Sequence, residues 1–270
     1  MARGAAPLRR ALGYTTAPMA SPRVALQLYT LREDMARDFA GTLRAVAGLG
    51  YPAVQLAGYG GLGAAELKRL LDGLGLAVAG NHVGLDRLEN HLEEEIEINS
   101  TLGNRDLVVP AIPESRRQSA EDYRRFAEQF EGIGERCRSA GLRFSYHNHA
   151  FEFVRFDGQY GLDLLLGATD PGLVYFEPDV YWIAVAGEDP AAYIRKYSQR
   201  CPIIHLKDLD PRREPSFAEV GAGTLPFDRI FEASEAGGAE WYVVEQDRCP
   251  GPAIESARIS LENLRRWGKL

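Results

Sequence analysis

From Val24 onward, short β-rich apolar runs alternate with longer segments whose apolar residues recur at helical spacing. Residues 24–29 read as a strand. Residues 34–49 follow as a helix, with Phe39, Leu43, Val46 and Leu49 on one face and Gly48 and Gly50 closing it. Strand 53–56, the Gly-rich loop 58–61 and helix 64–74 make a second unit. Six more strand–helix pairs are expected: 76–82 with 85–102, 106–110 with 120–140, 142–148 with 162–166, 173–179 with 190–198, 203–207 with 227–236, and 240–245 with 253–267. Strict alternation implies parallel pairing through right-handed crossovers. Eight units in a chain of 270 residues predict the α/β class and one (β/α)8 TIM barrel over residues 23–270. Gly58–Gly61 and Gly221-Ala222-Gly223 lack the GxGxxG arrangement between strand and helix, so a Rossmann fold is rejected.

Composition adds limits rather than a function. Apolar residues make up 45% and charged residues 26%, enough for an ordinary globular core. A formal charge of −7 argues against a polyanion-binding surface, so no nucleic-acid partner is expected. Cys137, Cys201 and Cys249 form no CxxC pair, which points away from a disulfide framework or zinc ribbon and toward a reducing cytoplasm. No run of 18 apolar residues exists, so no membrane span is expected. Residues 1–22 carry Arg3, Arg9 and Arg10 and no acid. They are expected to form a disordered tail, with Met19 an alternative start.

Candidate chemistry collects where barrel enzymes carry it, at the C-terminal strand ends. The third strand ends in Asn81-His82 and the fifth in His147-Asn148-His149, with Glu152 close behind. The sixth ends in Glu177-Pro178-Asp179, the seventh in His205-Leu206-Lys207-Asp208 and the eighth in Glu245-Gln246-Asp247. Four of the five histidines fall at such ends; His91 does not. Burying these imidazoles and carboxylates together is costly without a cation, and one divalent metal ion resolves the cost. A carboxylate/imidazole set without thiolate suits Mn2+, Co2+, Zn2+ or Mg2+ alike, manganese among them. Cys201 and Cys249 are read as non-ligands.

The strings YHNHAFEF (146–153), FEPDVYW (176–182), IHLKD (204–208) and VEQD (244–247) resemble the sugar phosphate isomerase/epimerase family of xylose isomerase-like barrels, in its HNHxxEF subgroup. The likeness runs from about Val24 to the C-terminus. It is specific for the superfamily and not for the substrate. Its members include ketose 3-epimerases, inosose isomerases and dehydratases and keto-sugar processing enzymes, with endonuclease IV more distant. The resemblance implies one divalent ion held from strands five to eight, with Asp179, His205 and Glu245 as three ligands. Many members carry glutamate at the position of His147. Here Glu152 is taken as the fourth ligand with His147 beside it, and the reverse assignment stays open. Trp182 stands where ketose 3-epimerases carry a substrate-binding histidine, and Gln55 where related sequences often have glutamate.

An ion of this kind eases proton removal next to a carbonyl, through an enediolate. Glu152 and Glu245 are the expected acid/base pair, with His147 and Lys207 as alternatives. Lys207 could serve an oxyanion or donate a proton, or else pair with Asp208. His82, His149, Glu177 and Trp182 are expected substrate contacts, with Tyr29 and Phe151 extending the wall. The leading expectation is a metal-dependent isomerase or epimerase of a small sugar or keto-sugar. The alternatives are a lyase or dehydratase of a keto-inositol or 3-keto-glycoside, a distant endonuclease IV-like phosphodiesterase, and a sugar-binding barrel without catalysis. Gly221–Thr224 offers backbone N–H groups to a phosphate or is simply a flexible loop. A homodimer and a cytoplasmic location complete the expectations.

Overall fold

The computed structural model describes residues 22–212 and 216–270. The expected tail therefore lies outside the described residues except for Pro22. Eight strands carry the fold: β1 Arg23–Gln27, β2 Ala53–Leu56, β3 Ala77–His82, β4 Asp106–Val109, β5 Arg143–His147, β6 Val174–Glu177, β7 Ile203–Leu206 and β8 Trp241–Val244. They pair in the order β6-β5-β4-β3-β2-β1-β8-β7, every ladder parallel. The seam between β6 and β7 is closed by less: an isolated bridge from Asp179 to His205 and two backbone bonds. In those bonds His205 N–H donates to Pro178 O at 2.9 Å, and Phe176 N–H to Arg200 O at 2.8 Å. The eight-stranded (β/α)8 barrel is thus nearly closed, with helices around it.

Alternation along each strand sorts its side chains into two layers. Leu26, Val54, Leu107, Phe144, Phe176, Ile204 and Tyr242 belong to the large core shared with the helices. Ala25, Ala53, Ala79, Ile203, Trp241 and Val243 form a separate, small apolar plug inside the barrel. At one end of the plug, Arg143 is bonded to Asp106 at 2.7 Å and Glu240 at 2.5 Å. At the C-terminal end the inward positions turn polar, with Gln27, Gln55, His147, Glu177 and His205 all buried. A layer of buried hydrogen-bonding groups over an apolar floor is what a barrel active site needs.

Some helices depart from the sequence expectation. The span 34–49 divides into Arg32–Arg37 and Phe39–Leu49, because the Asp38 carboxylate leaves the helix to accept Gly41 N–H at 2.8 Å. The span 85–102 breaks at His91. A further helix, Val180–Val185, begins immediately after β6 and is capped by Asp179. Two short ribbons follow β5 and β7: Arg155–Phe156 with Gln159–Tyr160, and Asp208–Leu209 with Phe217–Ala218.

The second ribbon settles how the Gly221–Thr224 loop uses its N–H groups. Asp208 is buried and accepts from Leu209, Gly221, Gly223 and Leu225 at 2.8–3.1 Å. A Cβ on Gly223 would sit 2.4 Å from the Asp208 carboxylate, so only glycine fits there. The loop is thus closed around an internal carboxylate, and the phosphate reading of it is withdrawn. Among the described residues no helix is long and apolar enough to cross a membrane.

Candidate active site

Strand ends β5 to β8 bring His147, Asp179, His205 and Glu245 together, and one potential ligand atom from each lies within 4.8 Å of the others. All four are buried. Asp179 owes its orientation to the helix it starts. Its Oδ1 accepts the N–H groups of Tyr181 and Trp182 at 3.0 Å each, and Asn148 Oδ1 holds its own N–H at 2.9 Å. That leaves Asp179 Oδ2 buried without a hydrogen bond. Lys207 Nζ lies 2.9 Å from it, outside hydrogen-bonding geometry, and 2.8 Å and 2.7 Å from Glu245 and Asp247. An orphaned carboxylate oxygen, two imidazoles and a second carboxylate around one point fit a divalent cation, and the ammonium beside them answers the same negative field.

Beneath this group lies another. Glu177 Oε1 is 2.6 Å from His82 Nε2, 3.2 Å from His147 Nδ1 and 2.9 Å from His205 Nε2. Its second oxygen accepts Gln55 Nε2–H at 2.7 Å, and Gln27 donates to Gln55 Oε1 at 2.8 Å. Gln55 Oε1 is also 2.5 Å from His205 Nε2. His82, His147, Glu177 and His205 thus form a second convergent set that shares two imidazoles with the first.

Above the clusters is a cavity of about 340 Å³, lined by Tyr29, Ala57, His82, Pro110, Ala111, His147, His149, Lys207, Glu245 and Asp247. His149 is stacked on Phe151, centroids 5.0 Å apart, and lies 5.5 Å from the Trp182 ring. Lys207 Nζ is 5.7 Å from the centre of that ring. Trp182 packs beside the lining residues rather than among them, and Glu177 lies below them with no exposed surface. Direct substrate contact by Glu177 is therefore replaced by contact with three imidazoles.

Glu152 also departs from expectation. Its two oxygens bond the Tyr146 hydroxyl and, at 2.8 Å, the His149 N–H, completing a reciprocal cap on the turn Ala150–Phe153. It belongs to neither convergent set and does not line the cavity. The structure brings His147, not Glu152, to the group formed by Asp179, His205 and Glu245. Sequence reasoning passed over Asp247 as a site residue. The signal was its place two residues after Glu245, which turns both carboxylates the same way.

Electrostatics follow from burial and neighbours. Burial, aided by the charge on His205, holds His147 well below the usual imidazole range, keeping it neutral and able to ligate. Burial and then Lys207 push His149 down to about 3. For His205 burial works the same way, but Glu177 and Glu245 prevail and raise it to about 10. Burial lifts Asp179 to about 6 against the pull of Lys207 and His205. Glu177 and Glu245 stay well below the carboxylate range despite burial, the first through His205 and His82, the second through Lys207 and His205.

Burial alone drives Glu152 up to about 8. The folded state then holds a proton that the unfolded chain releases near pH 4.3. Its contribution to stability is full below that pH and lost as pH rises through about 8. Glu152→Gln is expected to remove this dependence, on the order of a few kcal/mol at most, and to leave metal stoichiometry unchanged. Denaturant melts between pH 4 and 9 check the first part, and a variant without bound metal would return Glu152 to the ligand set.

Comparison with known proteins follows the same lines. The family described as xylose isomerase-like TIM barrel matches residues 43–267. An inosose dehydratase of Lacticaseibacillus casei is 27% identical over 150 residues, 49% of this chain and 50% of that protein. The chain spans about half the length of the curated relatives it matches. The crystal structure of a sugar phosphate isomerase/epimerase from Parabacteroides distasonis superposes with a TM-score of 0.78 at 26% identity, covering 96% of this chain and 98% of that one. An IOLI protein with a bound zinc atom shares the fold, with a TM-score of 0.72 at 12% identity over 90% and 97% of the two chains.

Proposed function

This chain belongs to the xylose isomerase-like TIM barrel family, and from that premise we propose that it is a divalent-metal-dependent enzyme that enolises a small keto-sugar or keto-polyol and then eliminates a β-hydroxyl as water. The observation that carries this reading is the convergence of His147, Asp179, His205 and Glu245 under a cavity that also presents Lys207 and Asp247. The first four residues would hold the ion, Mn2+, Co2+, Zn2+ or Mg2+. When bound, it supplies a Lewis acid to the substrate carbonyl.

The chain's own groups do the rest. Asp247, 2.7 Å from Lys207, takes the proton from the carbon beside the carbonyl. Lys207 gives a proton to the departing hydroxyl, which leaves as water while the electron pair of the broken C–H bond becomes the new C=C bond. Asp247 then returns its proton to Lys207. His82 and His149 meet the substrate hydroxyls, and Tyr29, Phe151 and the Trp182 ring line or back its apolar face.

Two observations favour elimination. Glu152, half of the carboxylate pair expected for epimerisation, is committed to the cap of its own turn. The curated relatives matched over half the chain are named inosose dehydratases. Isomerisation or epimerisation is the second reading, supported by the whole-length likeness to a sugar phosphate isomerase/epimerase.

Incubation of the metal-loaded protein with keto-inositols and ketohexoses in D2O tests both. Elimination yields a product lighter by one water. Epimerisation yields an isomer that keeps every heavy atom of the substrate and carries solvent deuterium in place of the exchanged proton. No exchange and no product with any metal would leave a binding protein as the better account. Elemental analysis is expected to find about one ion per chain, as a single site requires.

A further inference from the structure

We propose that Glu177 is a positioning residue that fixes which nitrogen of His147 and of His205 is free to meet the metal ion. The inference rests on the metal reading above. Each of the two imidazoles has one nitrogen in each convergent set. His147 Nδ1 lies 3.2 Å from Glu177 Oε1, while its Nε2 is 3.7 Å from Asp179 Oδ2. His205 Nε2 lies 2.9 Å from Glu177 Oε1, while its Nδ1 is 3.0 Å from Glu245 Oε2.

A neutral imidazole has one N–H and one lone pair, so the nitrogen that donates to a carboxylate decides which one can ligate. Glu177 is fully buried, and its other oxygen is held by Gln55 Nε2. Gln55 in turn is held by Gln27 and reinforces the donor role of His205 Nε2 through its own Oε1. This chain of amides leaves Glu177 no alternative orientation. Glu177 takes the Nδ1–H of His147 and the Nε2–H of His205, so the nitrogens left to ligate are His147 Nε2 and His205 Nδ1. Without an ion His205 Nδ1 carries a second proton bonded to Glu245, and that proton leaves as the ion binds.

The same distances contain a rival arrangement, a second ion held by His82, His147, Glu177 and His205. Orientation is the simpler account because Glu177 Oε1 lies at hydrogen-bond distance from His82 Nε2 and His205 Nε2. It also leaves each imidazole singly protonated, whereas two ions sharing His147 and His205 would need both rings stripped of both protons.

Zinc titration by calorimetry and nitrogen-15 NMR of the zinc-loaded protein distinguish these. The wild type is expected to bind one ion per chain, with zinc-shifted His147 Nε2 and His205 Nδ1. Glu177→Gln is expected to weaken zinc binding by about 10–100-fold, the usual loss for an orienting carboxylate, and to disturb those two nitrogen shifts. Glu177→Asp should recover part of the affinity, and His82→Gln should leave it within about twofold. A purely structural role would lower the melting temperature of Glu177→Gln while the folded protein kept wild-type affinity and shifts, and that result would overturn the proposal. Two ions in the wild type, falling to one in His82→Gln, would overturn it in favour of the second site. A wild type that binds no ion would defeat the metal reading itself, whereas one ion bound equally well by wild type and Glu177→Gln would defeat this inference alone.

Discussion

Lys207→Met is expected to lower turnover by about a hundredfold or more, the scale of a lost general acid, while the cation site still fills. Lys207 is buried, and its Nζ lies within 2.9 Å of Asp179, Glu245 and Asp247. Methionine keeps the apolar stem and removes the charge and the proton. In the metal-free protein the three carboxylates then face each other without their ammonium. Breaking a buried ion pair from one side costs about 3–5 kcal/mol, so the metal-free variant should melt well below the wild type. Added Mn2+ or Co2+ should restore most of that loss, because Asp179 and Glu245 regain a positive partner. Melting curves with and without the ion, together with turnover, check each part. A variant that turned over at the wild-type rate would place Lys207 outside the chemistry.

Asp179→Asn is expected to weaken metal binding by more than the roughly hundredfold upper range seen for orienting residues, and to leave the barrel folded. The two oxygens of Asp179 have separate tasks. Oδ1 caps the helix Val180–Val185, and asparagine caps about as well as aspartate. Oδ2 is the unbonded oxygen of the cluster, and an amide nitrogen in its place is a donor that cannot ligate. Asp179→Ala should lose metal equally and a further ~1 kcal/mol of stability with the cap. Calorimetric titration beside chemical denaturation separates the two effects, and an asparagine variant with wild-type affinity would dissolve the proposed ligand set.

The barrel was legible because its signal is repetitive. Each strand is short and apolar and each helix follows at 3.6-residue spacing, so eight weak readings support one another. Asp179, His205 and Glu245 were legible for a related reason: a strand end in a barrel has one destination. Glu152 was misread because a residue four or five positions beyond a strand is placed by its turn. Here Tyr146, on the outward face of β5, and the His149 N–H claim its carboxylate. Glu177 was misread by one layer. Its strand and inward direction were right, but the inward residue two positions before Asp179 lies deeper, under the imidazoles. The helix Val180–Val185 left little periodic signal in six residues, and only its aspartate cap announces it. Three of the four partners of Asp208 could not be foreseen, since they come from a loop more than ten residues away.

The incomplete ladder between β6 and β7 has a consequence for the life of the molecule. Seven of the eight strand junctions are sewn by parallel ladders, and the last is held chiefly where Asp179 meets His205. An ion gripped from β5, β6, β7 and β8 would rivet that junction from the inside. Occupancy then enters the folding equilibrium itself, adding stability as RT ln(1 + [L]/Kd) for free ion at concentration [L]. Metal supply would set how long the barrel persists as well as whether it works, and a metal-starved chain would open first along this one line.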